Sequence, residues 1–309
     1  MNFLDLHCDT VTELYERGEN LADNTCHISL RQADAFDQYL QTYAIWIDPT
    51  LCAQDAYRRF HQLYGCYRDQ LDRNPCVKEI RCWRDYASTQ GKARRFALLS
   101  IENASCFAEP ERCVDEFYRL GVRMVSLTHT ADNAFACGNE TTDDRGLTPA
   151  GRKLVAMCEK KGYILDVSHL SFRSFWDFVE CSERPFVASH SNSHAICAHP
   201  RNLTDEMFRA VVERGGIVGL NLYSRFLRGE SASIDSLLLH LERFLELGGE
   251  HTVAFGCDFD GIGLMPKEMH GLRDIPKIAE RMQTLHYPQQ LIDDLFWNNA
   301  LNFIREQIK

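Results

Sequence analysis

Residues 3–9 of this 309-residue chain read Phe-Leu-Asp-Leu-His-Cys-Asp, a predicted β-strand that ends in side chains of the metal-binding type. Seven further short apolar runs, rich in β-branched and aromatic residues, recur along the chain. They are Thr42–Ile47, Phe96–Ile101, Val122–Leu127, Tyr163–Val167, Phe186–Ser189, Ile217–Leu222 and Thr252–Phe255. Because each run is apolar on both faces, it suits a strand of a parallel sheet that is covered by helices.

Amphipathic helical patterns separate these runs. The predicted helices are Ala53–Leu71, Pro110–Leu120, Pro149–Lys161 behind an N-cap at Thr148, Ser171–Cys181, Thr204–Arg214, Ser233–Leu247 and Pro288–Gln307. The connection from Ala53 to Arg95 is long and is expected to contain an added helix or hairpin. Eight strands that alternate with helices predict an α/β protein, a (β/α)8 barrel formed as one domain by residues 1–309. A doubly wound open sheet is the alternative.

Composition and charge exclude several classes of protein. The net charge is −10, from 44 acidic and 34 basic residues without a basic cluster, so we expect no nucleic-acid partner and no membrane partner. The first residues contain no basic signal-peptide start, and no apolar run approaches the roughly 20 residues of a membrane span. The 13 cysteines include no Cys-x-x-Cys pair, which favours reduced, buried thiols. These features predict a cytoplasmic protein.

Six of the eight predicted strands are followed by residues that can bind metal. These are His7 and Asp9 after the first strand, Glu102 after the third, His129 after the fourth, His169 after the fifth, His190 after the sixth, and Asp258 with Asp260 after the eighth. Active sites of such barrels lie at the carboxyl ends of the strands, so these side chains are expected to converge at one end.

Imidazole and carboxylate ligands without thiolate suit zinc, manganese, iron or cobalt. Alternate residues at a strand end point the same way, so His7 and Asp9 can reach one ion. Three histidines and two carboxylates suffice for two ions if one carboxylate bridges them, and Glu102 is our candidate for the bridge. Two ions about 3.5–4 Å apart would share a water molecule and lower its pKa, which yields a hydroxide nucleophile.

Three further residues suit the chemistry of amide hydrolysis. His129 can donate a hydrogen bond to a carbonyl oxygen as that oxygen gains charge. Asp258 can take a proton from the attacking water and pass it to the departing amine. Arg201 follows the strand of His190 and can bind a substrate carboxylate in a bidentate pair.

An ordered set of motifs in this chain resembles the membrane dipeptidase (renal dipeptidase) family, peptidase family M19. The motifs are Asp5–Asp9, Ile101–Glu102, Leu127–His129, Gly146–Gly151, Asp166–His169, Ser189–Ser191, Pro200–Asn202 and Gly256–Gly261. Each motif alone is weak, but their order is specific, and the similarity runs from Leu4 to about Asn302.

The resemblance implies a (β/α)8 barrel with two zinc ions that cleaves dipeptides, including those with a D-residue at the C-terminal position. It places His7 and Asp9 on one zinc ion, His169 and His190 on the other, and Glu102 on both. It further implies that His129 contacts the scissile carbonyl, Arg201 the terminal carboxylate, and Asp258 the proton in transfer. The family often forms dimers, so a homodimer is an open expectation.

The sequence also departs from the family pattern. Leu6 and Cys8 flank the first histidine, where family members often have Gly and Asn. The animal enzymes are secreted, lipid-anchored and disulfide-bonded, and nothing in this sequence extends those properties to it.

Other functions stay open at this stage. An amidohydrolase acting on another small amide, such as an N-acyl-amino acid, and a catalytically inactive metal-binding barrel are the alternatives. His129 and Asp258 can instead orient metal ligands, and Arg201 can form a surface ion pair. The other histidines, His199 among them, are expected to be structural or exposed.

Overall fold

The computed structural model describes residues 1–89 and 91–309 and confirms a closed parallel barrel. The strands are β1 Phe3–Cys8, β2 Tyr39–Trp46, β3 Val77–Glu79, β4 Arg95–Glu102, β5 Val122–Ser126, β6 Ile164–Asp166, β7 Val187–Ala188, β8 Ile217–Leu220 and β9 Val253–Phe255. All except β3 form the barrel, which closes where β2 pairs with both β1 and β4. The eight predicted strands are therefore confirmed, and the open doubly wound sheet is wrong.

The ninth strand lies in the long connection where an added element was expected. β3 pairs in parallel with the first residues of β4, whereas β5 pairs with the later ones. A short helix, Trp83–Ala87, follows it in the same connection. Strand β3 was not predicted because it has only three residues and only Val77 is buried.

Thirteen helices lie in the described part of the chain, and the predicted ones are among them. They are α1 Thr10–Arg17, α2 Leu30–Ala33, α3 Ala53–Arg73, α4 Trp83–Ala87, α5 Pro110–Leu120, α6 Pro149–Lys161, α7 Phe172–Cys181, α8 Asp205–Glu213, α9 Ser224–Leu227, α10 Ile234–Glu246, α11 Pro276–Thr284, α12 Gln289–Asp293 and α13 Asn299–Gln307. The predicted helix Pro288–Gln307 is two helices, α12 and α13, joined by a π-helical turn over Asp294–Asn298. None of the helices in the described part of the chain is long and apolar enough to cross a membrane.

Two hydrophobic clusters divide the core and leave one end of the barrel for polar residues. Every barrel strand contributes to one cluster, for example Leu4 of β1 and Ile217 of β8, and the residues Ala300 and Ile304 of α13 pack against them. The other cluster lies between the strands and the surrounding helices and includes Phe60 of α3. The carboxyl ends of the strands therefore carry the polar side chains, as in other barrels of this type.

Candidate metal centre and catalytic cavity

Five predicted ligands converge at the carboxyl ends of the strands. His7 and Asp9 lie at the end of β1, Glu102 is the last residue of β4, and His169 and His190 follow β6 and β7. Each of the five is no more than 7% exposed. Buried imidazoles and carboxylates are costly unless they are paired or bind a cation, so this set is chemically suited to metal.

His7, Asp9 and Glu102 form what we call the first half-site. The Nε2 atom of His7 lies 3.4 Å from Oδ2 of Asp9 and 3.5 Å from Oε2 of Glu102. Within residues 1–89 and 91–309, neither the buried Nε2 of His7 nor the buried Oδ1 of Asp9 has a hydrogen-bond partner. Two unpartnered buried ligand atoms on one strand end fit a divalent cation.

A local irregularity in β1 brings the histidine into this position. The pairing of β1 with β2 shifts register between Asp5 and Cys8. The carboxylate of Asp5 accepts hydrogen bonds from the backbone N–H groups of Cys257 at 2.8 Å and His7 at 3.4 Å. Bulges of this kind redirect side chains next to active sites.

His169, His190 and Glu102 form the second half-site. Oε1 of Glu102 lies 2.9 Å from Nε2 of His169 and 3.5 Å from Nε2 of His190, and the two Nε2 atoms are 2.9 Å apart. Oε1 thus faces the second half-site and Oε2 the first, the placement expected of a bridging carboxylate.

The carboxylates of the first half-site repel each other. Burial and the charge of Glu102 raise the pKa of Asp9 to about 7. Although burial disfavours a charged imidazole, Glu102 and Asp9 hold the pKa of His7 well above its usual value. Burial also opposes ionisation of Glu102, but the charge of His7 and the neighbouring imidazoles of His169 and His190 hold its pKa well below the usual range. This half-site therefore has more negative than positive charge.

The second half-site has one carboxylate, that of Glu102, and lies beside the guanidinium of Arg201. Burial, His7 and Arg201 lower the pKa of His190 to about 4. Burial, Arg201 and His129 lower the pKa of His169 well below its usual value. Both imidazoles are therefore neutral near pH 7, the form that binds metal.

A buried relay fixes the tautomer of His190. The hydroxyl of Ser189 donates to the carboxylate of Asp166 and lies 2.7 Å from Nδ1 of His190. Because this hydroxyl gives its proton to Asp166, it accepts the Nδ1–H of His190, which leaves Nε2 with a free lone pair for a metal ion.

Arg201 sets the opposite tautomer for His169. Its Nε–H donates to Nδ1 of His169 at 3.2 Å, so Nε2 of His169 carries the proton. The remaining guanidinium nitrogens donate to the hydroxyl of Ser191 at 3.0 Å and to the backbone oxygen of His190 at 2.9 Å. Arg201 is only 4% exposed, so the exposed surface ion pair considered for it is wrong. These bonds use three of the five guanidinium N–H groups, so two remain for a ligand carboxylate.

His129 and Asp258 flank the two half-sites. The ring centroid of His129 lies 4.3 Å from that of His169. Oδ1 of Asp258 lies 3.8 Å from Nε2 of His7, and its Oδ2 accepts a hydrogen bond of 2.8 Å from the side chain of Asn221. Ligand atoms of Asp258, His7 and His190 fall within 4.8 Å of one another, as do those of His129, Glu102 and His169. Both residues are close enough to the centre to act as ligands or as proton carriers.

Two of the eight predicted strands are not followed by a predicted metal ligand. The residues at their carboxyl ends, Trp46 and Asn221, were not predicted as part of the site. Trp46 ends β2, lines the cavity and packs edge-on against His129 with centroids 5.8 Å apart. Asn221 directly follows β8 and orients Asp258. Their position at the carboxyl end of a strand is the signal that could have identified them. His199, which was expected to be structural or exposed, also lines the cavity, and its ring lies 4.6 Å from that of Phe226.

Left-handed backbone conformations cluster around this centre. Of five non-glycine residues with positive φ in the described chain, four lie here, namely Asn103, His169, Asp258 and Asp260. Such conformations cost about 1–3 kcal/mol each and gather at functional sites. Asp260 is held by the Thr10 hydroxyl and the backbone N–H of His27, each at 2.6 Å, which agrees with the turn role expected for it.

Cys8, between the first two ligands, belongs to the hydrophobic core and is fully buried. Burial raises the pKa of its thiol well above the usual value, which favours the neutral thiol. All 13 cysteines lie in the described residues and are free, as the sequence predicted.

The half-sites open into a cavity of about 450 Å³. Its lining includes the carboxylates of Asp9, Glu13, Glu102, Glu140, Asp258 and Asp260, the guanidinium groups of Arg201 and Arg225, and the imidazoles of His129, His169 and His199. This volume is in the usual range for small-molecule sites.

Comparison with known proteins gives consistent matches over the whole chain. The model of the membrane dipeptidase family (peptidase family M19) matches residues 1–309. An uncharacterized protein from the pqqA 5′ region of Klebsiella pneumoniae is 34% identical over 67% of this chain and 80% of its own length. An uncharacterized dipeptidase of Schizosaccharomyces pombe is 27% identical over 96% of this chain and 70% of its own length.

A solved structure shares the fold. A metallopeptidase from Rhodobacter sphaeroides, liganded with a phosphinate mimic of the dipeptide L-Ala-D-Ala, superposes with a TM-score of 0.92. It is 24% identical in sequence, and the superposition covers 100% of this chain and 99% of that one.

Proposed function

The chain belongs to the membrane dipeptidase family, peptidase family M19, and from this we propose that it hydrolyses free dipeptides at a centre of two zinc ions. The observation that carries the proposal is the placement of Glu102, whose two carboxylate oxygens face different histidines. One carboxylate so placed can join two ions into one centre.

We assign His7 and Asp9 to one ion, His169 and His190 to the other, and Glu102 to both. The unpartnered, buried Nε2 of His7 and Oδ1 of Asp9 support the first assignment. The relay from Asp166 through Ser189 supports His190 as a ligand, because it leaves Nε2 unprotonated. When bound, zinc supplies a Lewis acid and lowers the pKa of water towards neutrality.

Asp258 is our candidate for the proton carrier. Its Oδ2 is held by Asn221, so its Oδ1 remains directed at the first half-site. There it can accept a proton from the attacking water and donate it to the amine that leaves when the peptide bond breaks. His129 would donate its ring N–H to the carbonyl oxygen as negative charge develops on that oxygen.

Arg201 is our candidate for binding the C-terminal carboxylate of the dipeptide. The carboxylate would accept hydrogen bonds from the guanidinium N–H groups that the three protein acceptors leave free, and these bonds would be charge-assisted. Because that group is buried, a substrate without the carboxylate leaves its desolvation uncompensated.

Binding of the C-terminal carboxylate by Arg201 is tested by comparing hydrolysis of a dipeptide with hydrolysis of its C-terminal amide. We expect kcat/KM for the amide to be lower by about 10- to 100-fold, equivalent to about 1.4–3 kcal/mol. Equal kcat/KM values for the free acid and the amide would exclude binding of the carboxylate by Arg201.

The function is tested by zinc reconstitution followed by a screen of dipeptides that includes L-Ala-D-Ala. We expect hydrolysis of dipeptides with C-terminal L- and D-residues. An N-acyl-amino acid is the control, and faster hydrolysis of this substrate would favour the amidohydrolase alternative. Bound zinc without hydrolysis of any dipeptide, in both the wild type and Asp258→Asn, would favour an inactive metal-binding barrel. The single domain, the cytoplasmic location and the homodimer remain predictions from sequence.

A further inference from the structure

The catalytic cavity contains an arginine that the proposed reaction does not use. Arg225 lies on α9, the one-turn helix Ser224–Leu227, and lines the cavity with an exposed side chain. The helix is fixed in place, because the backbone N–H of Ser224 donates to Leu264 at 2.9 Å and the thiol of Cys197 donates to the backbone oxygen of Arg225 at 3.5 Å.

Arg225 forms no ion pair with any residue in the described ranges 1–89 and 91–309. Arginines on other helices do pair, since Arg152 lies 2.8 Å from Asp177 and Arg281 lies 2.6 Å from Asp235. A positive charge without a protein partner in a substrate cavity is available to a negatively charged ligand group.

Arg225 and Arg201 line the same cavity. The ring of Phe226, which follows Arg225 in the chain, has its centroid 5.8 Å from Cζ of Arg201. In an acidic C-terminal residue, the side-chain carboxylate is only a few bonds from the α-carboxylate that we assign to Arg201. A second guanidinium group in the same cavity can therefore attract it.

We propose that Arg225 selects dipeptides whose C-terminal residue has an acidic side chain. This inference rests on the proposed dipeptidase function and adds a substrate class to it. The exposed Glu140 lines the same cavity and opposes the preference, so its neutralisation should strengthen selection for acidic residues.

The test compares Ala-Asp with Ala-Asn, which differ at one atom of the C-terminal side chain, in the configuration that the wild type cleaves faster. The measured quantity is the ratio of kcat/KM for Ala-Asp to kcat/KM for Ala-Asn. We expect a ratio above one in the wild type and a ratio about 3- to 10-fold lower in Arg225→Gln. We expect Glu140→Gln to raise the ratio and added salt to lower it in the wild type.

Arg228→Gln is the matched control, because Arg228 is also exposed and without an ion pair in the described residues, but it does not line the cavity. It removes the same charge three residues away and should leave the ratio unchanged. An equal fall in Arg228→Gln would attribute the effect to overall charge and would overturn the inference.

Two further results would also overturn it: an unchanged ratio in Arg225→Gln, or an equal loss on both substrates. In each of these cases hydrolysis of Ala-Asn by the wild type keeps the dipeptidase function intact. Absence of hydrolysis of every dipeptide would instead overturn the proposed function, and this inference with it.

Discussion

The two half-sites of the candidate centre share one glutamate but differ in charge and in the hydrogen bonds to their ligands. The first takes His7 and Asp9 from a single irregular strand end and adds the carboxylate of Glu102. The second takes His169 and His190 from two loops, next to the guanidinium of Arg201. The first contains two carboxylates, whereas the second contains one carboxylate and lies beside a guanidinium, so a cation is stabilised more strongly in the first.

Hydrogen bonding to the imidazoles sharpens this difference. His190 is held in the tautomer that binds metal by Ser189 and Asp166, whereas His169 accepts a hydrogen bond from Arg201 on the nitrogen that must carry the proton. An ion at the second half-site therefore requires Arg201 Nε to leave His169. We expect the two ions to bind in order, with the first half-site filled first.

The largest effect is expected for Glu102→Gln, which removes the residue that joins the half-sites. An amide of the same shape loses the negative charge and one of the two ligand oxygens. We expect dipeptide hydrolysis to fall by more than about 1,000-fold, or about 4 kcal/mol in the barrier. Elemental analysis should find less than two zinc ions per chain, and full zinc content with full activity would rule out the bridge.

Asp258→Asn is expected to lower kcat by about 100- to 10,000-fold, because an amide cannot accept the proton. It should leave both half-sites occupied, so zinc content measured with the kinetics distinguishes chemistry from binding. Loss of zinc in this variant would instead identify Asp258 as a ligand, for which it is close enough to His7 and His190.

Ser189→Ala should act on one half-site only. It breaks the relay from Asp166 and frees His190 to adopt either tautomer. We expect about 10- to 100-fold weaker binding of the second ion. Binding of the first ion is the internal control in the same calorimetric titration. An equal loss of affinity for both ions would contradict the prediction that the relay acts on the second half-site alone.

The smallest predicted effect is a difference in pH dependence between the two ions. In the metal-free protein the pKa of Asp9 is about 7 and that of His7 is well above its usual value, so a cation must displace protons. Affinity at the first half-site should therefore rise with pH up to about 7 and beyond. His190, with a pKa of about 4, is already neutral, so affinity at the second should be flat above about pH 5. Zinc titrations at several pH values check this prediction. An equal pH dependence of the two affinities would contradict it.

Strand periodicity and strand-end position sufficed to predict the barrel and the convergence of His7, Glu102 and His190. The carboxyl ends of the barrel strands lie together. Residues that are far apart in the sequence could therefore be assigned to one site before any contact was known. Their hydrogen bonds could not be predicted, since the tautomers depend on Ser189 and Arg201, and these contacts form only in the folded chain. The role of Asn221 was missed for the same reason.

The proposed mechanism requires two ions, bound with unequal affinity, that act in one centre. The measurement is to titrate zinc into the metal-free protein while recording both bound zinc and dipeptide hydrolysis. We predict that the first equivalent binds tightly with little activity, and that hydrolysis appears with the second and levels off at two ions per chain. Full activity with a single bound ion, or two bound ions without hydrolysis of any dipeptide, would contradict the account.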